Sequence, residues 1–243
     1  MNQDASPYSI LTRPNHLPRG AITAHVTELL REAIVSLQFK PGMVLDKLAI
    51  CDRLGVSRSP VSEALGRLQG EGLIEIRPQR GSVVSLVSLA AVREYMFIRQ
   101  ALETEAVRTL APRVTTALIA ALDDNLDAQR RAVERDDTMT FYGLDLKFHD
   151  LLFDDLQFGR VKSVVDMARV NIDRARRLIS SPRRTADTVF EHEPIVAALR
   201  ARDADAAAEA MHIHIEAVMN EVFAFARHEP DLFGDGDTAP IKG

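Results

Sequence analysis

LAICDRLGVSRSPVSEALGRLQGEGL, residues 48–73, is the stretch that decides the fold of the N-terminal part of this chain. Apolar residues recur every three or four positions on either side of Gly55, which predicts two short helices separated by a turn. Ser57 stands where the N-cap of the second helix is expected, and Pro60 is tolerated in its first turn. Two helices joined in this way are typical of a helix-turn-helix.

The two predicted helices each have a buried and a free side. Leu48, Cys51 and Leu54 predict the buried stripe of the first helix, and residues 61, 64, 65 and 68 predict that of the second. The free side of the second helix is rich in hydroxyl and guanidinium groups, which bind phosphates and guanine edges in duplex DNA. The residues that we predict to contact DNA are Arg53, Ser57, Arg58, Ser59, Ser62, Arg67, Arg80 and Gly81.

The segment that follows, residues 73–86, has apolar residues on both sides of a turn at residues 77–81. This pattern predicts a two-stranded hairpin whose tip carries Arg77 and Arg80. A recognition helix followed by a basic hairpin is a winged helix. Some winged helices serve as protein-interaction scaffolds, but the set of exposed arginines favours DNA.

These residues resemble the GntR family of bacterial transcription regulators. The family pattern LAxRLGVSRxPVxEALxRLxxEGLI, followed by a wing that contains glycine, is matched nearly throughout. Ser62, where many members carry Arg, and Leu48, where a polar or basic residue is common, depart from it. The resemblance therefore implies the mode of docking on DNA and no particular operator sequence.

Composition limits the class of protein. The 243 residues carry a net charge of −5, but residues 1–85 have 10 Lys and Arg against 8 Asp and Glu, whereas residues 86–243 have 20 against 27. An acidic second domain would leave DNA contact to the winged end. Because there is no secretory signal, no apolar run near 18 residues and only one cysteine, Cys51, we expect a cytoplasmic protein without a membrane span.

The sequence predicts a mainly α fold in four parts. Residues 1–18 form a flexible arm, 19–86 the winged helix, 87–228 a helical domain and 229–243 a disordered tail. Within the helical domain, periodic apolar residues predict six helices. Their approximate ranges are 89–111, 115–135, 138–156, 160–180, 184–202 and 203–227. Short turns between them indicate an all-α antiparallel bundle.

Four residues of the helical domain could bind a metal ion. Asp145 and His149 are four positions apart on one helix, so their side chains share a face, and His192 and His214 come from two other helices. Each of these histidines taken singly is more often a hydrogen-bonded core or surface residue. The domain, however, is similar to that of FadR-like regulators, whose metal-containing members use an Asp-x3-His pair and one His on each of two later helices. This resemblance implies a divalent metal site at these four residues, suited to zinc, nickel, manganese or iron.

Arg99 and Asn171 are the candidate effector-binding residues. Each interrupts an apolar helix face directed toward the bundle interior, where a guanidinium needs an anionic partner. Glu103 or Asp145 could be that partner for Arg99, and Asn171 could belong to an internal hydrogen-bond network. The FadR-like resemblance instead implies an effector-binding arginine here, with a small carboxylate such as a sugar acid or another hydroxy acid as effector.

The leading hypothesis is a homodimeric repressor that leaves a palindromic operator when the carboxylate binds at the metal site. A second hypothesis keeps the regulator but makes the metal a purely structural staple. A third is a metallohydrolase tethered to DNA. The sequence lacks a Ser or Cys nucleophile pattern and an HExxH helix, which argues against the third.

Overall fold

The computed structural model describes residues 6–13 and 21–234, except the side chains of Val170 and Asn171, and divides into two compact units. One unit holds the chain before Leu89 together with residues 229–234, and the other spans Leu89–His228. This boundary lies within two residues of the predicted one. No helix in the described part of the chain is long and apolar enough to cross a membrane.

The first unit is a winged helix with three helices and a small sheet. The helices are α1 (Ala21–Val35), α2 (Lys47–Leu54) and α3 (Arg58–Gly70), and the strands are β1 (Val44–Leu45), β2 (Ile74–Arg77) and β3 (Gly81–Val84). The hairpin of β2 and β3 is confirmed. A third strand, β1, was not predicted; it pairs with β3 in an antiparallel sheet of order β1-β3-β2. Two residues are too few to show a strand alternation.

The helix-turn-helix is built from local caps and one buried stripe per helix. Asp46 caps α2 by accepting hydrogen bonds from the amides of Leu48 and Ala49, and Gly55 ends α2 in the left-handed conformation with φ 68°. The buried stripe of α3 is confirmed. The prediction that Leu48 is buried was wrong: its side chain is 51% exposed, and Ile50 is buried instead. The cap at Asp46 starts the helix so that Leu48 faces outward.

The N-terminal segment packs on the winged helix, so the flexible-arm prediction was wrong for residues 6–13. Ser6 caps a 3-10 turn over Pro7–Ile10, and Tyr8 and Leu11 are buried in the core of this unit. The hydroxyl of Tyr8 accepts a hydrogen bond from the Asp46 amide at 2.7 Å. Two apolar anchors therefore hold a proline-containing segment that has no periodic pattern of its own. The rest of the predicted arm, residues 1–5 and 14–18, lies outside the described residues.

The chain also returns to this unit after its last long helix. Pro230–Leu232 forms a 3-10 turn, Phe233 is buried, and Val87 donates to the carbonyl of Leu232 and accepts from the amide of Gly234. The disordered-tail prediction was therefore wrong for residues 229–234. The polar composition suggested disorder, but one aromatic side chain and a backbone bridge to Val87 order the segment. Residues 235–243 lie outside the described residues.

The second unit is the predicted bundle of six long helices. They are α4 (Leu89–Leu110), α5 (Thr116–Glu134), α6 (Thr138–Leu156), α7 (Gly159–Leu178), α8 (Pro182–Ala201) and α9 (Ala204–His228). The side chains of Thr115, Asp137 and Ser181 cap the starts of α5, α6 and α8. Every predicted helix is present, with ends within about two residues of the predicted ends, as expected for boundaries read from sequence.

Candidate metal centre and DNA-contacting surface

The structure brings together the four residues predicted to bind a metal. Asp145 and His149 lie on α6, His192 on α8 and His214 on α9, and all four side chains are fully buried. One ring nitrogen from each of the three histidines lies within 4.8 Å of those of the other two. Asp145 Oδ1 lies 3.7 Å from His192 Nε2. We call these four residues the metal-ligand cluster.

The Nδ1 atom of each histidine in the metal-ligand cluster lies close to an oxygen on another helix. His192 and His214 form hydrogen bonds there, whereas the contact of His149 with Glu103 is an ion pair outside hydrogen-bond geometry. The three distances are 2.6 Å from His149 to Glu103 Oε2, 3.1 Å from His192 to Gln129 Oε1, and 2.8 Å from His214 to Glu191 Oε2. If each Nδ1 carries the proton and faces its oxygen, each Nε2 keeps a lone pair that can bind a metal. This arrangement is typical of histidines that bind a metal.

The inward-facing atoms of the metal-ligand cluster have no protein partner. Nε2 of His149, His192 and His214 and Oδ1 of Asp145 are buried without a hydrogen bond to any residue that the structure describes. Unpaired buried polar atoms are costly, so the three Nε2 atoms and Asp145 Oδ1 are candidates to bind an ion. Three imidazole nitrogens and one carboxylate oxygen form a donor set that fits a divalent transition metal.

The charge states of the metal-ligand cluster also suit a cation. Burial lowers the pKa of His149 to about 4 despite the opposing effect of Glu103, and burial lowers the pKa of His192 well below its usual value. Burial would raise the pKa of Asp145, but Arg176 and the neighbouring histidines outweigh this and lower it. Neutral imidazole and ionised carboxylate are the forms that bind metals.

Arg99 is buried beside the metal-ligand cluster, as predicted. Its Nε donates to Glu103 Oε1 at 2.6 Å and its Nη2 to Glu103 Oε2 at 3.3 Å, so the alternative partner at i+4 is present. Its Nη1 is buried without a hydrogen bond to any described residue. Glu103 thus connects Arg99 to His149. Asn171 lies on α7, but its side chain is outside the described residues.

Sequence reasoning missed the roles of Gln129, Glu191 and Arg176. Gln129 is fully buried on α5. An amide on the apolar face of a helix indicates a buried hydrogen-bond partner, and this signal was present in the sequence. Glu191 directly precedes His192 but contacts His214, and this contact depends on how α8 and α9 pack. Arg176 donates to Asp145 Oδ2 at 2.5 Å across 31 residues of sequence, and no local pattern indicates that pairing.

A cleft opens beside Asp145. We call it the arginine cleft and define it by Tyr142, Asp145, Arg176, Arg177 and Arg184, which lie among its lining residues. Arg184 forms a two-pronged pair with Glu191, with N–O distances of 2.6 and 2.7 Å. The lining of the arginine cleft therefore includes Asp145 of the metal-ligand cluster as well as Arg177.

The predicted DNA-contacting residues of α3 and the wing are exposed. These are Ser57, Arg58, Ser59, Ser62 and Arg67 at or on α3, and Arg80 and Gly81 at the wing. Ser57 occupies the N-cap position of α3, but its hydroxyl makes no capping hydrogen bond. Gln79 and Gly81 adopt positive φ angles of 63° and 80°, which turn the chain tightly at the wing tip.

Arg53 makes hydrogen bonds within the winged helix that were not predicted. Its Nε donates to the carbonyls of Tyr8 and Leu11 at 3.1 and 2.9 Å, and its Nη2 donates to that of Ser9 at 2.5 Å. The guanidinium thus fastens the N-terminal segment to α2. Arg53 is also exposed, and its contact with DNA stays a prediction.

These features define a class of protein: a regulator with a winged helix that binds DNA and a separate helical domain that contains a buried ligand set. Comparison with known proteins gives the family. Residues 22–84 match the family of bacterial regulatory proteins called gntR, and residues 94–217 match the FCD domain. The chain belongs to the GntR family of transcription regulators, and it carries an FCD domain.

Relatives cover nearly the whole chain. It is 34% identical to the HTH-type transcriptional repressor RspR of Escherichia coli, over 90% of this chain and 96% of that protein. It is 35% identical to an HTH-type transcriptional regulator of Streptomyces ambofaciens, over 88% and 90% of the two chains. The relatives are regulators by name, so the metallohydrolase alternative is set aside.

Solved structures agree on the fold. A GntR transcriptional regulator from Rhodococcus sp. RHA1 superposes with a TM-score of 0.70 at 23% identity, over 83% of this chain and 97% of that one. E. coli McbR/YncC superposes with a TM-score of 0.67 at 21% identity, over 86% and 98% of the two chains. At these identities the likeness concerns the fold alone.

Proposed function

We propose that this protein is a metal-containing repressor of the FadR-like branch, released from its operator by a small carboxylate that binds in the helical domain. The observation that carries the proposal is the convergence of ring nitrogens from three buried histidines, with Asp145 Oδ1 3.7 Å from His192 Nε2 and an unpaired Arg99 Nη1 nearby. The name of the E. coli relative supports repression.

In this proposal the metal-ligand cluster holds a divalent ion, with zinc, nickel and manganese as the candidates. The bound ion supplies a Lewis-acidic centre with coordination positions open to a carboxylate or hydroxyl oxygen. Glu103, Gln129 and Glu191 orient the three histidines, while Arg176 keeps one oxygen of Asp145 occupied.

Arg99 would bind the carboxylate of the effector. Its Nη1 offers a donor that has no other partner among the described residues, and a charge-assisted bond to a carboxylate would satisfy it. Asn171 remains a proposed effector contact. A sugar acid or another hydroxy acid combines the carboxylate and hydroxyl oxygens that this setting favours. The effector shifts operator affinity only by the ratio of its affinities for the two states of the protein.

DNA binding is proposed to use Arg53 of α2, Ser57, Arg58, Ser59, Ser62 and Arg67 at the recognition helix, and Arg80 and Gly81 of the wing. One small winged helix offers too little surface for tight and specific binding, so we propose a homodimer on a palindromic operator. Light scattering on the free protein and a stoichiometry of two chains per duplex would support this arrangement. A monomer that saturates a non-palindromic site would contradict it.

The test of the proposed function measures operator release. Wild-type protein loaded with zinc selects its operator from random duplexes, and fluorescence anisotropy then follows binding while hydroxy acids and simple carboxylates are titrated. We expect at least one carboxylate to weaken operator binding, and the apoprotein to respond much less. If the metal only stabilises the bundle, carboxylates will release the operator equally well with and without zinc, or not at all. Zinc will then change only the melting temperature.

A further inference from the structure

Two buried amide side chains on α5 connect the backbone of α6 to His192 by a chain of hydrogen bonds. Asn125 Nδ2 donates to the carbonyl of Leu144 at 3.1 Å, and Gln129 Nε2 donates to Asn125 Oδ1 at 2.7 Å. Gln129 Oε1 then faces His192 Nδ1 at 3.1 Å. Leu144 directly precedes Asp145 of the metal-ligand cluster. We call Asn125 and Gln129 the amide pair.

The orientation of the amide pair is fixed from its α6 end. A backbone carbonyl can only accept, so the group that Asn125 directs at Leu144 is its NH2. The oxygen of Asn125 then faces Gln129, which donates to it through its own NH2. The oxygen of Gln129 is left for His192, where it can only accept a proton from Nδ1. Reversing either amide alone would bring two acceptor oxygens face to face.

His192 has two neutral tautomers, and a nearby carboxylate favours the one that cannot bind a metal. Asp145 Oδ1 lies 3.7 Å from Nε2, so its negative charge attracts a proton to that nitrogen. A proton on Nε2 would occupy the lone pair that a metal needs. The amide pair opposes this effect by accepting the proton at Nδ1. His149 and His214 differ, because each has a carboxylate beside its Nδ1.

We propose that Asn125 is a positioning residue for the metal site, because it holds Gln129 in the orientation that keeps the proton of His192 on Nδ1. This inference rests on the proposed function, since it concerns the site that would bind the metal. The side chain of Asn125 is hydrogen-bonded to Leu144 and Gln129, so it acts on His192 through Gln129. Without Asn125, the amide of Gln129 can reverse and donate to Nδ1. The proton of His192 then moves to Nε2, beside Asp145.

The first experiment measures the tautomer of His192 directly. Long-range ¹H–¹⁵N correlation spectra of metal-free protein, labelled at its seven histidines, distinguish the two nitrogens of each ring. His192→Gln assigns the signals of His192. We expect the Nδ1–H tautomer in the wild-type protein and the Nε2–H tautomer as the major form in Asn125→Leu. If Asn125→Leu does not fold, Asn125→Ala replaces it with the same expectation.

Zinc affinity should follow the tautomer. Competition with a chromophoric chelator measures the affinity of the wild-type protein and of each variant. Because only the Nδ1–H form presents its lone pair, a tenfold drop in the population of that form predicts a drop of about tenfold in affinity. Leu126→Ala is the matched control, since Leu126 is the next residue of α5, is buried and takes no part in the amide pair. It should lower the melting temperature and leave the tautomer unchanged.

A second substitution tests whether Asn125 acts through Gln129. In Asn125→Leu/Gln129→Glu an ionised carboxylate faces His192 and can only accept, so the Nδ1–H tautomer and most of the zinc affinity should return. In a Gln129→Leu background, Asn125→Leu should cause no further change of tautomer, because the connection to His192 is already broken.

The outcomes separate this inference from the proposed function. If wild-type His192 carries its proton on Nε2, or if a folded Asn125 variant keeps the Nδ1–H tautomer, this inference is overturned. The proposed function then still stands on the zinc content and operator release of the wild-type protein. If the Asn125 variant loses zinc affinity without a change of tautomer, Asn125 is only a structural residue and the inference is again overturned. If wild-type protein binds no divalent metal, the proposed function fails and this inference fails with it.

Discussion

Each histidine of the metal-ligand cluster is oriented by a different side chain. Glu103, Gln129 and Glu191 come from three helices. Each places an oxygen beside the Nδ1 of one histidine, which leaves the Nε2 atoms available to a ligand. Two of these three acceptors are carboxylates, which increase the basicity of an imidazole more than an amide does. The strength of the site should therefore depend on residues that never touch the metal.

The first prediction concerns Glu191. Glu191→Gln should weaken zinc binding by roughly 10–100-fold, because the amide orients His214 less strictly and no longer offers a negative charge. Competition with a chromophoric chelator measures the affinity. Glu193→Gln on the same helix is the control, since Glu193 pairs with Arg130 away from the cluster. Equal zinc affinity in the two variants would remove Glu191 from the support of the site.

The second prediction concerns Arg58 at the start of the recognition helix. Arg58→Ala should cost about 1–3 kcal/mol in binding to the selected operator, with little change in melting temperature, because the side chain is exposed in the free protein. Anisotropy titrations measure the loss. Arg131→Ala, an exposed arginine on α5, removes the same charge outside the winged helix and should leave binding within a few-fold of wild type. Operator binding by Arg58→Ala at wild-type strength would exclude Arg58 from the interface.

At the scale of elements, the winged helix includes two short segments from the ends of the described chain. Residues 6–13 pack through Tyr8 and Leu11 and are fastened by Arg53, while residues 229–234 pair with Val87. Neither segment forms a long helix or strand. Their contribution comes from a few buried side chains and hydrogen bonds, which stabilise the unit that carries α3.

The third prediction tests the N-terminal segment. Tyr8→Phe keeps the ring and its edge contact with Phe39 but removes the acceptor for the Asp46 amide, so it should lower the free energy of unfolding by about 0.5–1.5 kcal/mol. Chemical denaturation followed by circular dichroism measures this. Tyr8→Ala should cost more because it also empties part of the core. If both variants are as stable as wild type, the segment does not contribute to the fold.

At the scale of the whole molecule, the proposed function assigns a separate role to each of the two units. The unit of residues 89–228 contains the metal-ligand cluster and the arginine cleft, and the winged helix contains the exposed recognition surface. The two functions use no residue in common. DNA binding should therefore survive changes that abolish metal binding, whereas the response to the effector should not.

The fourth prediction follows from this division. His214→Ala, and likewise His192→Ala, should lower bound zinc to a small fraction of the wild-type content and abolish effector-dependent release, while operator affinity stays within a few-fold of wild type. Asp145→Ala should lose less, because water can replace an oxygen ligand. Elemental analysis beside anisotropy titrations measures both properties. His212→Ala, at an exposed position on the same helix, is the control. A wild-type zinc content in His214→Ala would refute the assignment.

The sequence alone predicted the helices and their order because helical structure follows from local periodicity and caps. Six helices of the bundle and the helix-turn-helix were found in this way. The errors lay at short features, such as β1 and the turn at Pro7–Ile10, and at the exposed position of Leu48. The four residues of the metal-ligand cluster were also predicted, through the family resemblance. Their convergence could not be read from spacing, since they come from three helices.

The partners of these residues required the tertiary structure. Arg176 with Asp145, Glu191 with His214 and Arg53 with the N-terminal segment join positions between 23 and 45 residues apart. Such pairs depend on how helices pack, and packing depends on the complementary shapes of many side chains at once rather than on any local pattern.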